Sequence, residues 1–289
     1  MDYGLIYEAD GDTVVCDVRN FSLQDILDNG QCFRWSRVDA GDDRVTYTGI
    51  ALGRHQTVTQ RGDVLTFADT TPEEVEALWL DYFDLRRDYG RLKEWLSADP
   101  ILARAIAYAP GIRVLNQPRW ETLCSFILSQ NNNIIRIRGL VERLCSLLGD
   151  AIPGGFDFPG PEKLAGLAVE ALSPVRAGFR AKYLLDAADK VTGGEIDLDA
   201  VAAMPTGEAR STLQRINGVG PKVAECALLY GFGRAECVPV DVWVRRILET
   251  LYPGGFPAEY EPVAGLAQQY LFHYARTCPG ALEAPVSPT

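Results

Sequence analysis

An α+β fold is predicted for this 289-residue chain, with an N-terminal antiparallel β-rich domain over residues 1–98 and an all-α domain over residues 99–289. Texture is the first ground: short runs rich in Val, Thr and aromatics fill the chain to about residue 70, and helical patterning continues from there almost to the end. Charge is the second. Residues 1–100 hold 10 Lys+Arg against 20 Asp+Glu and the remainder 18 against 19, so the net charge of −11 sits almost wholly in the first third. Size is the third, because a chain of this length that is 47% hydrophobic and 23% charged can fill one large or two ordinary cores.

The strand candidates come in order as TVVCDVRNFSL, QCFRWSRV, RVTYTGIALG, HQTVTQ and DVLTFAD, punctuated by Gly and Asp. TPEEVEALWLDYFDL then opens a helix, with Thr71 at the N-cap, Pro72 at the first helical position and Glu74 three residues after the cap, the spacing of a capping box. Helical patterns follow over residues 91–109, 117–130, 133–149, 161–172, 178–194, 198–204, 207–216, 221–232, 241–252 and 260–276. The terminal APVSPT is expected to be a disordered tail.

Composition excludes several classes of function. The N-terminus MDYGLIYEADGD has no basic stretch leading into an apolar run, and no segment approaches the ~18 apolar residues of a membrane span. A cytoplasmic protein is therefore expected. The seven cysteines form no C-x-x-C pair and spell no zinc or iron–sulfur spacing. With only His55 and His273 available, a histidine metal centre or a Ser-His-Asp triad is also improbable, so no cofactor and no metal are expected. Three local groups of basic residues remain: Arg113, Arg119, Arg136 and Arg138; Arg176, Arg180 and Lys182; and Arg210, Arg215 and Lys222. Gathered on one face they would suit phosphate contacts; scattered, they are ordinary solvated charges.

The stretch LQRINGVGPKVAECALLYGFGRAECVPVDVWVRRIL, residues 213–248, carries the chemistry. A helix is expected to end at Ile216, Asn217-Gly218-Val219-Gly220 to make a tight hairpin, and Pro221 to start the next helix. Exposed amides at such a helix start can receive a DNA phosphate without reading sequence, although a plain inter-helix turn has the same local spelling. Lys222 falls in the first turn, where the helix dipole disfavours an exposed cation by about 0.3 to 1 kcal/mol. A nucleophilic amine suits that position better than a structural charge does. Nineteen residues further on, Asp241 precedes VWVRRIL and suits a helix N-cap, with or without chemistry.

GVGPKVAEC followed by PVDV resembles the helix-hairpin-helix DNA glycosylase superfamily, with its hairpin, catalytic lysine and catalytic aspartate. SQNNNIIRIRGLVERLC (129–145), GFRAKY (178–183), NGQCFRW (29–35) and GLAQQYLF (265–272) are similar to segments of the 8-oxoguanine DNA glycosylases within it, so the resemblance spans both domains. It implies a TATA-binding-protein-like β domain ahead of a helix-hairpin-helix glycosylase domain. It also implies an enzyme that excises 8-oxoguanine from double-stranded DNA, preferably opposite cytosine, and then cleaves the strand as an AP lyase, and with it a nucleoid-associated prokaryotic protein acting as a monomer is expected.

By the same resemblance Lys222 and Asp241 are catalytic, Gly30, Cys226, Gln268 and Phe272 form the lesion-base pocket, and Asn131, Arg136, Phe179 and Arg180 fill the gap and hold the opposite base. Asn217, Gly218, Val219 and Gly220 would take the DNA phosphate. Asn132 and Asn133 are expected to be helix caps. Two departures stand out: Trp243 where the family often has histidine, and Phe179 where it often has tyrosine. The chemistry requires these residue types on independent grounds. Breaking a C1′–N bond through a cation-like sugar calls for a nucleophile at C1′ and a fixed negative charge beside it. An amine nucleophile leaves a Schiff base, which permits β-elimination.

Overall fold

A computed structural model describes residues 1–41 and 43–282, so the tail expected at 284–289 lies outside the described residues. Six strands, β1 (Ile6–Ala9), β2 (Asp12–Val15), β3 (Trp35–Ala40), β4 (Val45–Ala51), β5 (Arg54–Arg61) and β6 (Val64–Phe67), form one antiparallel sheet in the order β1-β2-β6-β5-β4-β3. Alternation aims Tyr47, Val58, Leu65 and Phe67 at one face, where Trp35, Trp79 and Phe83 complete an aromatic core. β1 is absent from the expected strands; four residues at a sheet edge carry too little alternation to be seen. The expected strand TVVCDVRNFSL ends early, at Val15, because Asp17 and Asn20 take φ of 52° and Ser22 caps a short helix, α1 (Leu23–Leu27).

Thr71 accepts from the Glu74 amide at 3.3 Å, as a capping box requires, but the Glu74 carboxylate pairs with Arg54 at 2.7 Å instead of turning back. That helix runs as α2 (Pro72–Glu74), a π-helical turn (Val75–Trp79) and α3 (Leu80–Tyr82). The pattern expected as one helix over 91–109 is two, α4 (Tyr89–Leu96) and α5 (Pro100–Tyr108). Asp99 breaks it by accepting from the amides of Ile101 and Leu102, with Pro100 opening the new helix. The rest of the bundle is α6 (Arg119–Ser129), α7 (Ile134–Leu148), α8 (Pro161–Leu164), α9 (Ala181–Thr192), α10 (Leu198–Ala203), α11 (Thr206–Leu213), α12 (Pro221–Gly231), α13 (Val242–Leu251) and α14 (Ala264–Thr277). The C-terminal part is not wholly helical: β7 (Ala151–Ile152) and β8 (Gly155–Phe156) make a two-stranded hairpin within it. No helix among the described residues is long and apolar enough to cross a membrane.

Two apolar cores, one under the sheet and one inside the bundle, divide between Leu85 and Tyr89, with Phe33 and Leu115 each packed in the core of the other part. Arg113 joins the two. Fully buried, it forms an ion pair with Asp2, donates to the carbonyls of Asp84 (2.6 Å), Asn20 (2.9 Å) and Arg19 (2.9 Å), and lies 4.3 Å from the Tyr89 ring centroid. Arg113 thus belongs to the interior and not to the basic face that its charge suggested. Gln31 makes a second tie, donating to the carbonyls of Ile26 (3.0 Å) and Arg113 (2.8 Å) and accepting from the Leu115 amide (2.8 Å). These bonds fix the loop that carries Gly30.

Candidate active site

The hairpin between α11 and α12 is built as its sequence demands in one half and more freely in the other. Gly218 has φ of 79°, and a Cβ there would overlap the Tyr183 ring, so only glycine fits. Asn217 donates from its backbone and side-chain nitrogens to the Asp186 carboxylate at 2.7 and 2.6 Å, and Val219 is buried beneath the turn. Gly220 differs. Its φ of −85° and ψ of −179° are open to any residue, and a Cβ there would meet nothing within 4 Å. No side chain caps α12, so the amides of its first turn stay available beside that bare position.

Lys222, the second residue of α12, sets its Nζ 5.3 Å from the Phe126 ring centroid. Phe126, on α6, stacks parallel to Tyr230 at 5.2 Å and meets Phe33 edge-on at 5.7 Å. Asp241 caps α13, its Oδ1 accepting from the Val244 amide at 2.8 Å. A cavity of about 800 Å³ brings together Lys222, Asp241, Gly30, Asn131, Gly220 and Phe272. Gly30 requires glycine, with φ of 86° and the Ile134 side chain 3.0 Å from where its Cβ would stand.

Two expected pocket residues do not line this cavity. Cys226, one turn after Lys222, is packed in the bundle core, where burial pushes its thiol up to about 11 against the opposing pull of Lys222. Gln268 is only 7% exposed and its Oε1 is buried without a hydrogen-bond partner among the described residues, an orphaned acceptor one turn before Phe272.

The loop between α6 and α7 holds the gap-filling candidate. Asn131 is exposed and has φ of 49°, a conformation that asparagine tolerates better than most residues. Asn132 donates to the Leu128 carbonyl at 2.8 Å and Asn133 caps α7 by accepting from the Arg136 amide at 2.9 Å, so both end helices as expected. Arg180 is 4% exposed, and its guanidinium donates to the carbonyls of Gln130 (2.8 Å from Nε), Ala177 (3.1 Å) and Asn131 (3.4 Å). Burial and the neighbouring Arg136 charge lower its pKa. Phe179, half exposed, lies against that guanidinium at 4.4 Å. Arg136 is exposed, with no ion pair among the described residues. These three surround the Asn131 loop and do not form the cavity wall.

The basic face resolves into two kinds of residue. Arg119 pairs with Asp199, Arg210 with Glu225, Arg215 with Glu195 at 2.8 Å and Arg138 with Asp28 at 3.9 Å. Arg136, Arg176, Lys182 and Lys222 have no ion pair among the described residues. Sequence reasoning did not single out Phe33, Phe126, Val242 or Arg276, all in the cavity wall. Phe33 and Phe126 look like any apolar core residue in sequence, and an arginine in a last helical turn is the ordinary complement of the helix dipole. Val242 and Trp243 give the rim an apolar lip, 80% and 48% exposed. A separate cavity of about 400 Å³ between the sheet and α7 shares Phe33 with this one and contains none of the candidates.

Comparison with known proteins matches residues 13–123 to the family "8-oxoguanine DNA glycosylase, N-terminal domain" and residues 124–261 to "HhH-GPD superfamily base excision DNA repair protein". The chain is 31% identical to the N-glycosylase/DNA lyase of Saccharomyces cerevisiae over 261 residues, covering 80% of this chain and 68% of that one. It superposes with a TM-score of 0.88 on the 8-oxoguanine glycosylase/lyase of Clostridium acetobutylicum, solved with double-stranded DNA containing cytosine opposite 8-oxoguanine, at 36% identity over 96% of this chain and 99% of that one. MBOgg1, solved with a low-affinity DNA ligand, superposes equally well, with a TM-score of 0.88 and 43% identity over 96% of this chain and 99% of that one.

Proposed function

The chain belongs to the 8-oxoguanine DNA glycosylase family of the HhH-GPD superfamily, a DNA glycosylase with AP lyase activity in base excision repair, and we propose that it removes 8-oxoguanine through a Schiff base on Lys222 with a preference for cytosine opposite. The observation that carries this reading is the single cavity joining Lys222 and Asp241 to Gly30, Asn131 and Phe272. Residues 1–98 contribute the base end of the site through Gly30, and residues 99–289 the reacting groups.

A target atom inside a duplex must be flipped out, and Asn131 at the loop tip enters the gap left behind. The hairpin amides at Gly220 hold a phosphate, where a side chain would block the approach. The Gly30 carbonyl accepts from N7–H, a proton that oxidised guanine has and guanine lacks. Phe272 stacks on the base, and opening of the wall behind the cavity brings Cys226 to the other face and the unpartnered Gln268 acceptor to the Watson–Crick edge, since neither lines the cavity as it stands. Once the Lys222 ammonium has given a proton to water, the Nζ lone pair bonds to C1′ while the C1′–N9 bond breaks, and the electron pair of the broken bond leaves on the base. The Asp241 carboxylate stabilises the cation-like sugar. The C1′–O4′ bond then opens, O4′ taking a proton from water as the nitrogen lone pair forms the protonated imine, and loss of a C2′ proton to the solvent base expels the 3′ phosphate.

Arg136 has guanidinium donors without an ion-pair partner for N3 and O2 of the orphaned cytosine. Arg180 holds the Asn131 loop and reaches the base only by exchanging its bonds to the Gln130 carbonyl. Phe179 supplies an aromatic wedge without a hydroxyl. Adenine opposite the lesion presents an amino donor to these donors, which disfavours it.

The test is incubation with duplexes carrying 8-oxoguanine, uracil, methyladenine or undamaged guanine, opposite cytosine or adenine, with base release and strand cleavage assayed separately. Release confined to 8-oxoguanine and faster opposite cytosine is expected, with that ratio narrowed in Arg136→Ala. Equal rates opposite both bases would remove the cytosine preference from this reading, and release of methyladenine alone would overturn the lesion assignment.

A further inference from the structure

The cavity wall contains a cation that the reaction above does not use. Arg276 lies in the last turn of α14, one turn after Phe272, with its guanidinium carbon 5.8 Å from the Phe272 ring centroid. Its Nη1 is 4.0 Å from where a Cβ on Gly30 would stand. The head group therefore sits at the base end of the cavity, between the glycine backbone and the stacking face. It has no hydrogen bond or ion pair among the described residues, whereas Arg87, Arg113, Arg119 and Arg210 each pair with a carboxylate. Asp25 approaches the neighbouring His273 but is not an ion-pair partner of Arg276.

Heterolysis of the C1′–N9 bond leaves the bonding electron pair on the purine, so negative charge develops on a base seated between Gly30 and Phe272, beside this guanidinium. Asp241 answers the positive charge on the sugar, and nothing in the mechanism so far answers the charge on the base. We propose that Arg276 is a catalytic residue for base release, donating hydrogen bonds to the acceptor edge of the departing purine and stabilising it as an anion. The anion is neutralised by a proton from the C1′-bound nitrogen of Lys222, which began as an amine and carries an extra positive charge once the new bond has formed. A donor aimed at developing charge commonly contributes about 10² to 10³ in rate where it is fixed and shielded from water; Arg276 is exposed in the free chain, and the bound base is what orders and covers it. The inference rests on the lesion assignment of this cavity.

Leaving-group stabilisation makes a prediction that a packing role does not. Single-turnover release of 8-oxoguanine by Arg276→Gln should fall by about 10- to 10³-fold. Cleavage at a preformed abasic site, where no base departs, should fall far less. Across duplexes whose lesion bases differ in N9 acidity, the variant's rates should depend more steeply on leaving-group acidity than the wild type's, and Arg276→Lys should recover part of the loss. The thermal midpoint checks folding. Equal losses on 8-oxoguanine and on the preformed abasic site, or an unchanged leaving-group dependence, would overturn the role of Arg276. A wild-type chain that releases no 8-oxoguanine while cleaving abasic sites would overturn the lesion assignment itself, and this inference with it.

Discussion

Arg113 and Lys222 are each cations beside an aromatic ring, and they live in opposite surroundings. Arg113 lies 4.3 Å from Tyr89 and is also ringed by the Asp2 carboxylate and four backbone carbonyls, so its donors are committed within the chain. Lys222 lies 5.3 Å from Phe126 and has no carboxylate partner among the described residues, although Asp241 shares its cavity. The first arrangement closes a junction, and the second leaves a site open to a substrate. What separates the structural cation from the candidate functional one here is how many acceptors within the chain already hold it. Local charge density does not separate a committed cation from an open one, since Arg113 and Arg136 belong to one basic group in the sequence.

The comparison can be broken from both ends. Lys222→Gln should lower base release and strand cleavage by at least about 10³-fold, as loss of a nucleophile does, with the melting temperature nearly unchanged. Retained cleavage would place the nucleophile elsewhere. Arg113→Met should do the reverse, costing about 3 to 5 kcal/mol of stability because it strands the buried Asp2 carboxylate, while the folded fraction keeps its activity. Urea unfolding measures the loss, and Arg113→Met combined with Asp2→Asn should recover part of it.

Asp241→Asn sharpens the intermediate case, in which an observed cap is also assigned a catalytic job. Its carboxylate caps α13 and faces the cavity, so the rate should fall by about 10²-fold, with a stability loss on the order of 1 kcal/mol. A stability loss without a rate loss would reduce Asp241 to a cap.

Glu121 gives the smallest expected effect. Burial pushes its carboxyl up to about 7, although Arg34 at 3.6 Å pulls the other way. Between an unfolded value near 4.5 and about 7 the folded chain holds a proton that the unfolded chain has released, so this group's contribution is full below that window and is lost as pH rises through it. The difference in stability between wild type and Glu121→Gln should therefore change by on the order of 1 to 2 kcal/mol from pH 5 to pH 8, in favour of the variant at pH 8. A difference that stays flat with pH would place the Glu121 carboxyl in the ordinary range.

Much of the local geometry of the candidate site was legible in the sequence because its devices are local. Gly-Pro at the start of α12, Asp241 ahead of α13 and Asn133 ahead of α7 declare themselves within four residues. The roles of Arg113 and Arg180 were not legible, since Asp2 and the Gln130 carbonyl lie 111 and 50 residues away in sequence. β1, β7 and β8 are too short for their alternation to rise above chance. Arg276 was hidden for another reason: a cation ending a helix already has an ordinary explanation, and only its place against Gly30 and Phe272 argues for another.

The most direct measurement uses the small number of lysines. The chain has five, Lys93, Lys163, Lys182, Lys190 and Lys222. Incubation with a duplex carrying 8-oxoguanine opposite cytosine in the presence of borohydride, followed by proteolysis and mass analysis, locates any lysine joined to the sugar. The account predicts one adduct, on Lys222, and none in Lys222→Gln. An adduct on Lys182 or Lys190, or base release at full rate with no adduct, would contradict it.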